Sequence, residues 1–379
     1  MDHVSIIGGG IGGLTAAHAL RQAGLDFELY EQAPALTEVG AGIGLSKAAV
    51  RVLDWLHLGE PIRQAGTFIK HGYLLDKALR VRRKLPADLD SICIHRARLI
   101  DILGSALPAE KIHLSRRITR IDDTPAGTTI GFADGSTATA PLTVAADGIH
   151  SAVRSRLQPQ LAVRYIGQTI WRGMAPVKLP AQYASAYVEI WDENKRFLFV
   201  PAGADQVFWL AVKPAPPGEK DNPETVRDDL TGLFRNFHPL VREMIATSRN
   251  FIRNDMGDLG TQPRRWYHDR IVFLGDAIHA TTPNLAQGGC QAIEDAYCLA
   301  LCLRKYPSDP TSAFQTYYEL RHRKARFVVD TSWKLGKWAH SGNPLFDFAY
   351  KAVLRYAPDR FFTRQEAYLN DLSYLQSVR

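Results

Sequence analysis

The amino-acid sequence predicts an α/β protein, and three stretches lead to this prediction. Near the amino terminus, a short apolar strand meets a glycine-rich turn and then a helix-forming segment. Between residues 161 and 212 the pattern changes to aromatic-rich strands, and after residue 306 it becomes helical. We therefore expect a Rossmann-like unit, a separate β-sheet and a group of carboxyl-terminal helices.

The first turn contains Gly8, Gly10 and Gly13 in the spacing Gly-x-Gly-x-x-Gly. In this motif the first glycine permits a tight turn, the second lets the backbone approach a pyrophosphate, and the third lets the helix pack on its strand. Residues 27–30 predict a second strand, followed by Glu31, where an acidic side chain can bind ribose hydroxyls. This order indicates a dinucleotide site, with a purely conformational glycine turn as the alternative.

Two further predicted strands each end in a pair of aspartate and glycine. The first pair, Asp147 and Gly148, follows the apolar residues 142–146 and precedes a short helix that carries Ser151 and Arg154. Backbone donors and a guanidinium would then converge near the first phosphate-binding turn. The alternative is an ordinary Asp-Gly turn.

The second pair, Gly275 and Asp276, follows the apolar residues 271–274. Asp276 is placed to bind hydroxyl groups of a cofactor. A loop then leads to the start of a long helix through Pro283, Gln287, Gly288 and Gly289. The first amides of a helix lack partners within the helix, so this end predicts a second anion site, which could stabilise the negative charge of a reduced flavin.

Arg98 lies near the start of a helix predicted over residues 95–107. The helix dipole disfavours a cation at this end unless the cation reaches an anion. Arg98 is therefore a candidate ligand for a cofactor phosphate, and a surface ion pair is the alternative.

The strands between residues 161 and 212 are rich in aromatic side chains. Alternation places half of them on one face, where they could cover a flat apolar ligand. These side chains are Trp171, Tyr187, Trp191, Phe197, Phe199, Phe208 and Trp209. Packing within the core of the sheet is the alternative. Residues 224–246 predict a single polar-faced helix after this sheet.

Composition favours a cytoplasmic protein with no metal site. The formal net charge is +7, but lysine and arginine are spread along the chain, which does not favour a nucleic-acid partner. The four cysteines lack metal-ligand spacing, so we expect free thiols in a reducing compartment. We expect neither a signal peptide nor a transmembrane segment, although a basic, aromatic helix over residues 317–338 could contact a membrane surface.

The three motifs, in this order, resemble those of single-component FAD-dependent aromatic monooxygenases. That family includes urate and salicylate hydroxylases, tetracycline-modifying monooxygenases and carotenoid epoxidases, and the resemblance extends to about residue 326. It implies a discontinuous FAD-binding domain over residues 1–70, 95–160 and 262–305. An inserted β-sheet domain over residues 71–94 and 161–261 would bind the substrate, and residues 306–379 would form a carboxyl-terminal helical region.

The resemblance also assigns roles to the motif residues. It places the adenosine half of FAD against Gly8, Gly10, Gly13 and Glu31. By this resemblance, Arg98 would contact the cofactor, and Asp276 would hold the ribityl chain. Asp147 and Gly148 would take part in the use of both FAD and NAD(P)H. The loop beside the isoalloxazine ring would contain Pro283, Gln287, Gly288 and Gly289.

The implied reaction is oxygen transfer to an aromatic or polycyclic small molecule. NADH or NADPH, as a transient co-substrate, would reduce FAD, and O2 would give a flavin C4a-hydroperoxide that hydroxylates or epoxidises the substrate. Arg172 and Arg196 resemble pocket-lining positions and could hold a substrate anion or enolate. Urate-hydroxylating relatives pair an arginine at position 196 with a tyrosine on the next strand, where this sequence has Phe208 and Trp209. Urate is therefore not the expected substrate.

Two other functions stay open from the sequence. One is a flavin reductase or dehydrogenase that does not transfer oxygen, and the other is a flavin-binding module without catalysis. The sequence does not distinguish NADH from NADPH, or a monomer from a homodimer.

Overall fold

In the computed structural model, the strands of the described residues form four sheets. The described residues are 3–36, 41–85, 90–192, 194–203, 205–260, 263–340 and 356–379. The strands among them are β1 (His3–Ile7), β2 (Asp26–Tyr30), β3 (Gly42–Leu45), β4 (Thr67–Ile69), β5 (His71–Leu75), β6 (Val81–Leu85), β7 (Ser91–His95), β8 (Ile112–His113), β9 (Ile118–Thr124), β10 (Gly127–Phe132), β11 (Thr137–Ala140), β12 (Leu142–Ala145), β13 (Arg164–Ala175), β14 (Ala186–Asp192), β15 (Lys195–Pro201), β16 (Val207–Pro214), β17 (Ile252–Asp258), β18 (Tyr267–His268) and β19 (Ile271–Phe273).

The helices of the described residues lie mostly between the strands of the first sheet and at the carboxyl end. They are α1 (Ile11–Gln22), α2 (Lys47–Trp55), α3 (Gly59–Ala65), α4 (Arg96–Ser105), α5 (Ala152–Leu157), α6 (Val226–Leu233), α7 (Pro239–Thr247), α8 (Asp276–His279), α9 (Gly288–Lys305), α10 (Pro310–Ala339) and α11 (Asp359–Asn370). None of them is long and apolar enough to cross a membrane.

The first sheet has six strands in the order β18-β19-β12-β1-β2-β8. Strand β1 pairs in parallel with β2 and β12, and β12 pairs in parallel with β19. Helices α1 and α9 and the antiparallel sheet β11-β10-β9 share one hydrophobic core with it, which includes Leu14, Ile293 and Ile130. This parallel sheet confirms the predicted α/β class.

The second large sheet has seven strands in the order β17-β13-β16-β15-β14-β5-β6. Its strands come from two separate parts of the chain, residues 71–85 and 164–258. Helices α6 and α7 cover one face through Leu230, Val241 and Met244. The opposite face packs towards the strand β3 and the helix α10.

Alternation divides the aromatic residues of this sheet between its two faces, as predicted. Trp171, Phe197, Phe199 and Trp209 fill the core beneath α6 and α7. Phe208 lies on the opposite face, where a Cβ at Gly42 would be 2.4 Å from the Cβ of Phe208. Most of the aromatic surface therefore stabilises the sheet itself, and only a minority faces the first sheet.

The prediction of one helix over residues 224–246 is wrong. The segment forms α6 and α7, and Pro239 occupies the first position of α7. Proline lacks an amide hydrogen and clashes with the preceding helical turn, so it begins a helix more readily than it continues one. The Nδ1 atom of His238 accepts a hydrogen bond from the amide of Leu240 at 3.2 Å and caps the new helix.

A buried network of charges joins α9 to α10. The Nη1 atom of Arg321 lies 2.7 Å from Oε2 of Glu294, and its Nε atom lies 2.7 Å from Oδ1 of Asp295. Lys324 also contacts Glu294, at 2.8 Å. The side chains of Arg321, Glu294 and Asp295 have no exposed surface. Each of these charges therefore depends on its partners for stabilisation.

We expect Arg321→Met to lower the free energy of unfolding by about 3–5 kcal/mol, because it leaves two buried carboxylates without their main counter-ion. Arg326→Met is the matched control, since Arg326 is exposed on the same helix and its contact with Asp330 is long, at 3.5 Å. Urea denaturation followed by far-ultraviolet circular dichroism measures both variants. Equal stabilities of the two variants would contradict the prediction.

Candidate active site

The carboxyl ends of β1 and β12 open onto a cleft of about 420 Å³. This cleft is lined by the predicted cofactor-binding residues Gly8, Gly10, Glu31, Asp147 and Gly148. Parallel strands end at the same edge of their sheet, so motifs that are distant in sequence meet there.

The turn after β1 leaves no room for a side chain at two of its glycines. Gly8 has a φ of +104°, and a Cβ there would lie 2.5 Å from the carbonyl oxygen of Ala146. A Cβ at Gly13 would lie 1.9 Å from the carbonyl oxygen of Gly8, so α1 packs directly on the turn. At Gly10 a Cβ would meet no described atom within 4 Å. Gly10 therefore borders open space at the amino terminus of α1, where an anion can approach the backbone.

Two backbone amides hold the carboxylate of Glu31 beside this turn. The amide of Gly9 donates to Oε2 at 2.6 Å, and the amide of Ala33 donates to Oε1 at 2.7 Å. A carboxylate accepts more than one hydrogen bond at each oxygen. Glu31 can therefore also accept hydrogen bonds from ligand hydroxyls in the cleft.

The structure brings Arg96, and not Arg98, to the cleft. The Arg98 side chain is 61% exposed and pairs with Asp101 one turn later, as in the surface alternative. Arg96 lines the cleft, and burial lowers its pKa, an effect that Asp276 opposes and Arg172 reinforces. Residues two apart on a helix point about 200° away from each other, so Arg98 turns away where Arg96 faces inward.

Asp147 and Arg154 organise the turn after β12. The Oδ2 atom of Asp147 accepts a hydrogen bond from the amide of Val153 at 3.2 Å, and burial raises the pKa of Asp147. Arg154 is buried and donates to the carbonyl oxygen of Ala277 at 2.8 Å. Ser151 caps α5 by accepting from the amide of Arg154 at 2.9 Å. Arg154 therefore joins this turn to α8 instead of facing the cleft.

Asp276 begins α8 and remains accessible to solvent. The surrounding protein removes water from the Asp276 carboxylate and so raises its pKa. The charges of His279, Arg96 and Arg154 oppose that rise. A Cβ at Gly288 would lie 3.7 Å from Oδ1 of Asp276. Asp276 thus lies next to the amino terminus of α9, which begins with Gln287, Gly288 and Gly289 as expected.

The loop between α8 and α9 makes a 3-10 turn over Pro283–Leu285. Pro283 is exposed on it, and Ala286 ends it with a φ of +52°. This left-handed conformation favours glycine, so Ala286 adopts it at a cost in backbone strain. Asn284 is anchored by bonds of 3.0 Å from its Nδ2 atom to Oγ1 of Thr282 and to the carbonyl oxygen of Ser332.

A polar cluster on the second sheet reaches this loop. Arg196 forms a buried ion pair with Glu189, and its Nη1 atom donates to Oδ1 of Asn284 at 2.7 Å. The hydroxyl of Tyr187 donates to Oε2 of Glu189 at 2.6 Å. The sequence prediction included Arg196, named Tyr187 only as one of the aromatic side chains of the sheet, and missed Glu189 and Asn284. The spacing of Tyr187 and Glu189 on β14 was the available signal, since residues two apart on a strand share a face.

Arg172 lies on the same face of the sheet, on β13. Its Nη2 atom donates to Oδ1 of Asn254, and burial lowers its pKa. Its charge also lowers the pKa of Arg96, so the two guanidiniums are near neighbours across the interface of the two sheets. Arg172 and Arg196, predicted as alternatives for one role, thus have different surroundings.

Among the described residues, Asp123, His268 and Asp269 have potential ligand atoms that lie close enough together to hold a metal ion. Asp123 already accepts a hydrogen bond from the amide of Arg270 at 2.9 Å and contacts Nδ1 of His268 at 2.9 Å. These bonds account for the grouping without an ion.

Comparison with known proteins identifies the family. Residues 1–332 match the family model described as FAD binding domain. The chain is 37% identical over 345 residues to aurachin C monooxygenase/isomerase of Stigmatella aurantiaca, with 88% of each chain covered. It is 34% identical over 346 residues to 3-amino-4-hydroxybenzoate 2-monooxygenase of Streptomyces cremeus, with 86% of each chain covered. The chain belongs to the family of FAD-dependent aromatic monooxygenases.

The fold of this monooxygenase agrees with that assignment. It is similar to the crystal structure of Klebsiella pneumoniae HpxO complexed with FAD and uric acid, with a TM-score of 0.88 and 27% sequence identity. The similarity covers 97% of this chain and 96% of that chain. The resemblance drawn from the three motifs is thereby confirmed.

The residues of the cleft fit FAD. The open space at Gly10 and the free amides at the start of α1 suit a pyrophosphate, and the amide-bound Glu31 suits a ribose. Arg96 supplies a cation in the same cleft. The donors and acceptors that this dinucleotide requires are therefore present in the monooxygenase.

We expect Arg96→Ala to weaken FAD binding about 10- to 100-fold, because hydrogen bonds to a charged group contribute about 1.5–3 kcal/mol. Arg98→Ala, its control two residues away, should change the dissociation constant by less than about twofold, since an exposed ion pair contributes little. Quenching of flavin fluorescence in a titration of apoprotein measures both. A larger effect at Arg98 would instead support Arg98 as the residue that contacts the cofactor, as predicted from the sequence.

We expect Gly10→Val to abolish FAD binding without unfolding the protein. The backbone of Gly10 has a φ of −77° and is extended, which valine tolerates, and the new side chain would enter the open space of the cleft. Gly13→Val is the contrasting variant, because its Cβ meets the carbonyl oxygen of Gly8 and should impair folding. Circular dichroism and flavin content distinguish the two effects, and full flavin content in Gly10→Val would refute the prediction.

Proposed function

We propose that the chain uses NADH or NADPH and O2 to hydroxylate or epoxidise an aromatic or polycyclic small molecule, with FAD as its bound cofactor. One observation carries the proposal: Arg196, on the second sheet, is hydrogen-bonded to Asn284 in the loop that follows the Gly275–Asp276 pair. The polar residues of the second sheet therefore adjoin the loop that borders the flavin in the resemblance. This is where a substrate would have to lie to react with the cofactor.

Each part of the site has a separate task in this proposal. The backbone at Gly10, the carboxylate of Glu31 and the guanidinium of Arg96 hold the adenosine and pyrophosphate half of the cofactor. Asp276 and the amino terminus of α9 hold its other half. When bound, FAD supplies the transfer of electrons from the nicotinamide and the activation of O2. The protein therefore contributes binding, orientation and exclusion of water.

The second sheet supplies an apolar cover for the substrate. Its inward face carries Leu198, Phe208 and Leu210, all buried, around the polar cluster of Arg196 and Glu189. Such a face suits a flat, largely apolar ring with few polar groups and keeps water from the reacting atoms. The names of the relatives support an aromatic substrate, because one acts on 3-amino-4-hydroxybenzoate and HpxO was crystallised with uric acid.

The relatives favour oxygen transfer over the reductase or dehydrogenase alternative. Several are named as monooxygenases or hydroxylases across most of the length of this chain. A flavin-binding module without catalysis is likewise disfavoured, since the polar cluster reaches the cofactor loop. A cytoplasmic location remains part of the proposal, supported by four cysteines that are all buried and free.

The purified protein should be yellow, and an aromatic substrate should accelerate its oxidation of NADH or NADPH, because the substrate completes the site. A panel of aromatic compounds, scored by absorbance of the reduced nicotinamide, identifies the substrate. With oxygen-18 gas, mass spectrometry should then show one labelled oxygen atom in the product. Stimulated oxidation of NADH or NADPH with an unlabelled product would instead favour a dehydrogenase. Failure of the protein to take up FAD would refute the proposal altogether.

A further inference from the structure

We propose that Glu189 determines the substrate class of this site: a neutral aromatic compound that carries an O–H or N–H donor, in preference to an aromatic carboxylate. The proposal rests on the proposed function, since it concerns the substrate side of the same site. It departs from the expectation that Arg196 holds a substrate anion. It is carried by the contacts of Tyr187, Glu189 and Arg196 with one another.

The position of Glu189 follows from the alternation of β14. Val188 and Ile190 lie in the core beneath α6 and α7, so Tyr187 and Glu189 project from the opposite face, towards the cofactor loop. Strand β15 pairs with β14 and brings Arg196 to the same face. The carboxylate of Glu189 therefore lies between a phenol on its own strand and a guanidinium on the next strand.

The charge of Arg196 is already balanced inside the protein. Arg196 is 4% exposed and Glu189 is 7% exposed, and the two side chains form an ion pair. The uncharged groups Asn284 and Trp191 also contact the guanidinium, with its Cζ atom 5.4 Å from the centre of the indole ring. A bound carboxylate would add a second negative charge to a guanidinium that already has a carboxylate partner. Burying that excess charge is costly, whereas a neutral ligand carries no such penalty.

The direction of hydrogen bonding selects for a donor. Tyr187 has a single O–H, and this group donates to Glu189, which as a carboxylate can only accept. Burial, reinforced by the Glu189 charge, raises the pKa of Tyr187, so the phenol keeps its proton. Arg196 also donates to the oxygen of Tyr187 and opposes the rise of its pKa, so this oxygen offers a ligand its one remaining lone pair. A ligand group that faces it must donate, as a phenol, an amine or a ring N–H does.

Arg83 and Arg172 are further cations on this face, and each has partners of its own. Arg83 lies beside Leu74, in the row that contains Glu189, and pairs with Asp359. In the strand register Arg172 is three strands away from Glu189, with Leu210 and Leu198 between them, whereas Arg196 is on the strand next to Glu189. Arg172 contacts Asn254 and has no share in the Glu189 ion pair. A change in carboxylate binding caused by Glu189 must therefore depend on Arg196, and a double variant tests this dependence.

The first test compares two ligands of equal shape, 4-hydroxybenzamide and 4-hydroxybenzoate, with the FAD-bound protein by isothermal titration calorimetry. Wild-type protein should bind the neutral amide at least about tenfold more tightly, and Glu189→Gln should shift the ratio towards the carboxylate by at least about tenfold, since charge-assisted hydrogen bonds are strong. Glu243→Gln, on the exposed side of α7, should leave the ratio unchanged. The double variant Glu189→Gln with Arg196→Gln should restore the preference for the amide.

The second test concerns the donor. Wild-type protein should bind 4-hydroxybenzamide about fivefold more tightly than 4-methoxybenzamide, the difference that one neutral hydrogen bond provides. Tyr187→Phe should remove this difference without increasing the affinity for 4-hydroxybenzoate. Because this variant keeps the ion pair intact, it provides an answer even if Glu189→Gln does not fold.

A wild-type preference for 4-hydroxybenzoate, or failure to bind any of the three ligands, would overturn the proposal. So would a folded Glu189→Gln protein whose ligand preference equals that of wild type. Flavin content and the oxidation of NADH or NADPH, measured on the same preparations, report separately on the proposed function. The substrate class can therefore be refuted while the monooxygenase activity stands.

Discussion

The parallel alignment of β1, β12 and β19 is the constraint on which the site depends. Ile7 pairs with Ala145, and Ala145 pairs with Phe273, so the three strands end level with one another. The alignment continues past the strands, because the amide of Ala146 donates to the carbonyl oxygen of Ile7 at 2.8 Å. The turns that carry the glycines of the Gly-x-Gly-x-x-Gly motif, Asp147 and Asp276 thus share one edge of the sheet. Any shift of register would separate them.

Polar contacts, in addition to apolar packing, join the second sheet to the loop after α8 and to α10. Besides the bond from Arg196 to Asn284, Nε2 of Gln168 donates to the carbonyl oxygen of Gly336 at 2.7 Å. The guanidinium of Arg164 lies 3.5 Å from the ring centre of Trp333. Directional contacts of this kind fix orientation more strictly than hydrophobic surfaces do. The second sheet is therefore held at a defined position relative to the loop that contains Asn284.

The sequence identified the candidate residues whose role can be inferred from their immediate neighbours in the chain. The glycines, Glu31 and the two aspartate-bearing turns each follow a buried strand, and that order can be recognised without knowledge of tertiary contacts. Arg98 was named from the sequence and Arg96 was not considered, because the sequence alone does not show which face of α4 is turned towards the cleft. A shift of two residues on a helix is enough to exchange a cleft contact for a surface ion pair.

The residue Glu189 and the hydrogen-bonding role of Tyr187 were missed for a different reason. Their role arises only when β14 pairs with β15 in the observed register, and long-range pairing is not visible in a single sequence. The tyrosine expected on the strand after Arg196 is absent, but the structure supplies a tyrosine from the strand before it. The carboxylate of Glu189 lies between this phenol and the guanidinium of Arg196, so the arginine is already paired within the protein.

The buried charges beneath the site explain how Asp276 is presented. Oδ2 of Asp295 accepts a hydrogen bond from the amide of Gly275 at 3.0 Å and contacts Nε2 of His279, while Arg321 binds Oδ1. Burial alone would raise the pKa of Asp295, but the charges of His279 and Arg321 overcome this effect and hold that pKa at about 2. An ionised carboxylate therefore fixes the first and last residues of the turn from within the core. Asp276 lies between these two fixed residues, so the start of α8 is held in place beside the amino terminus of α9.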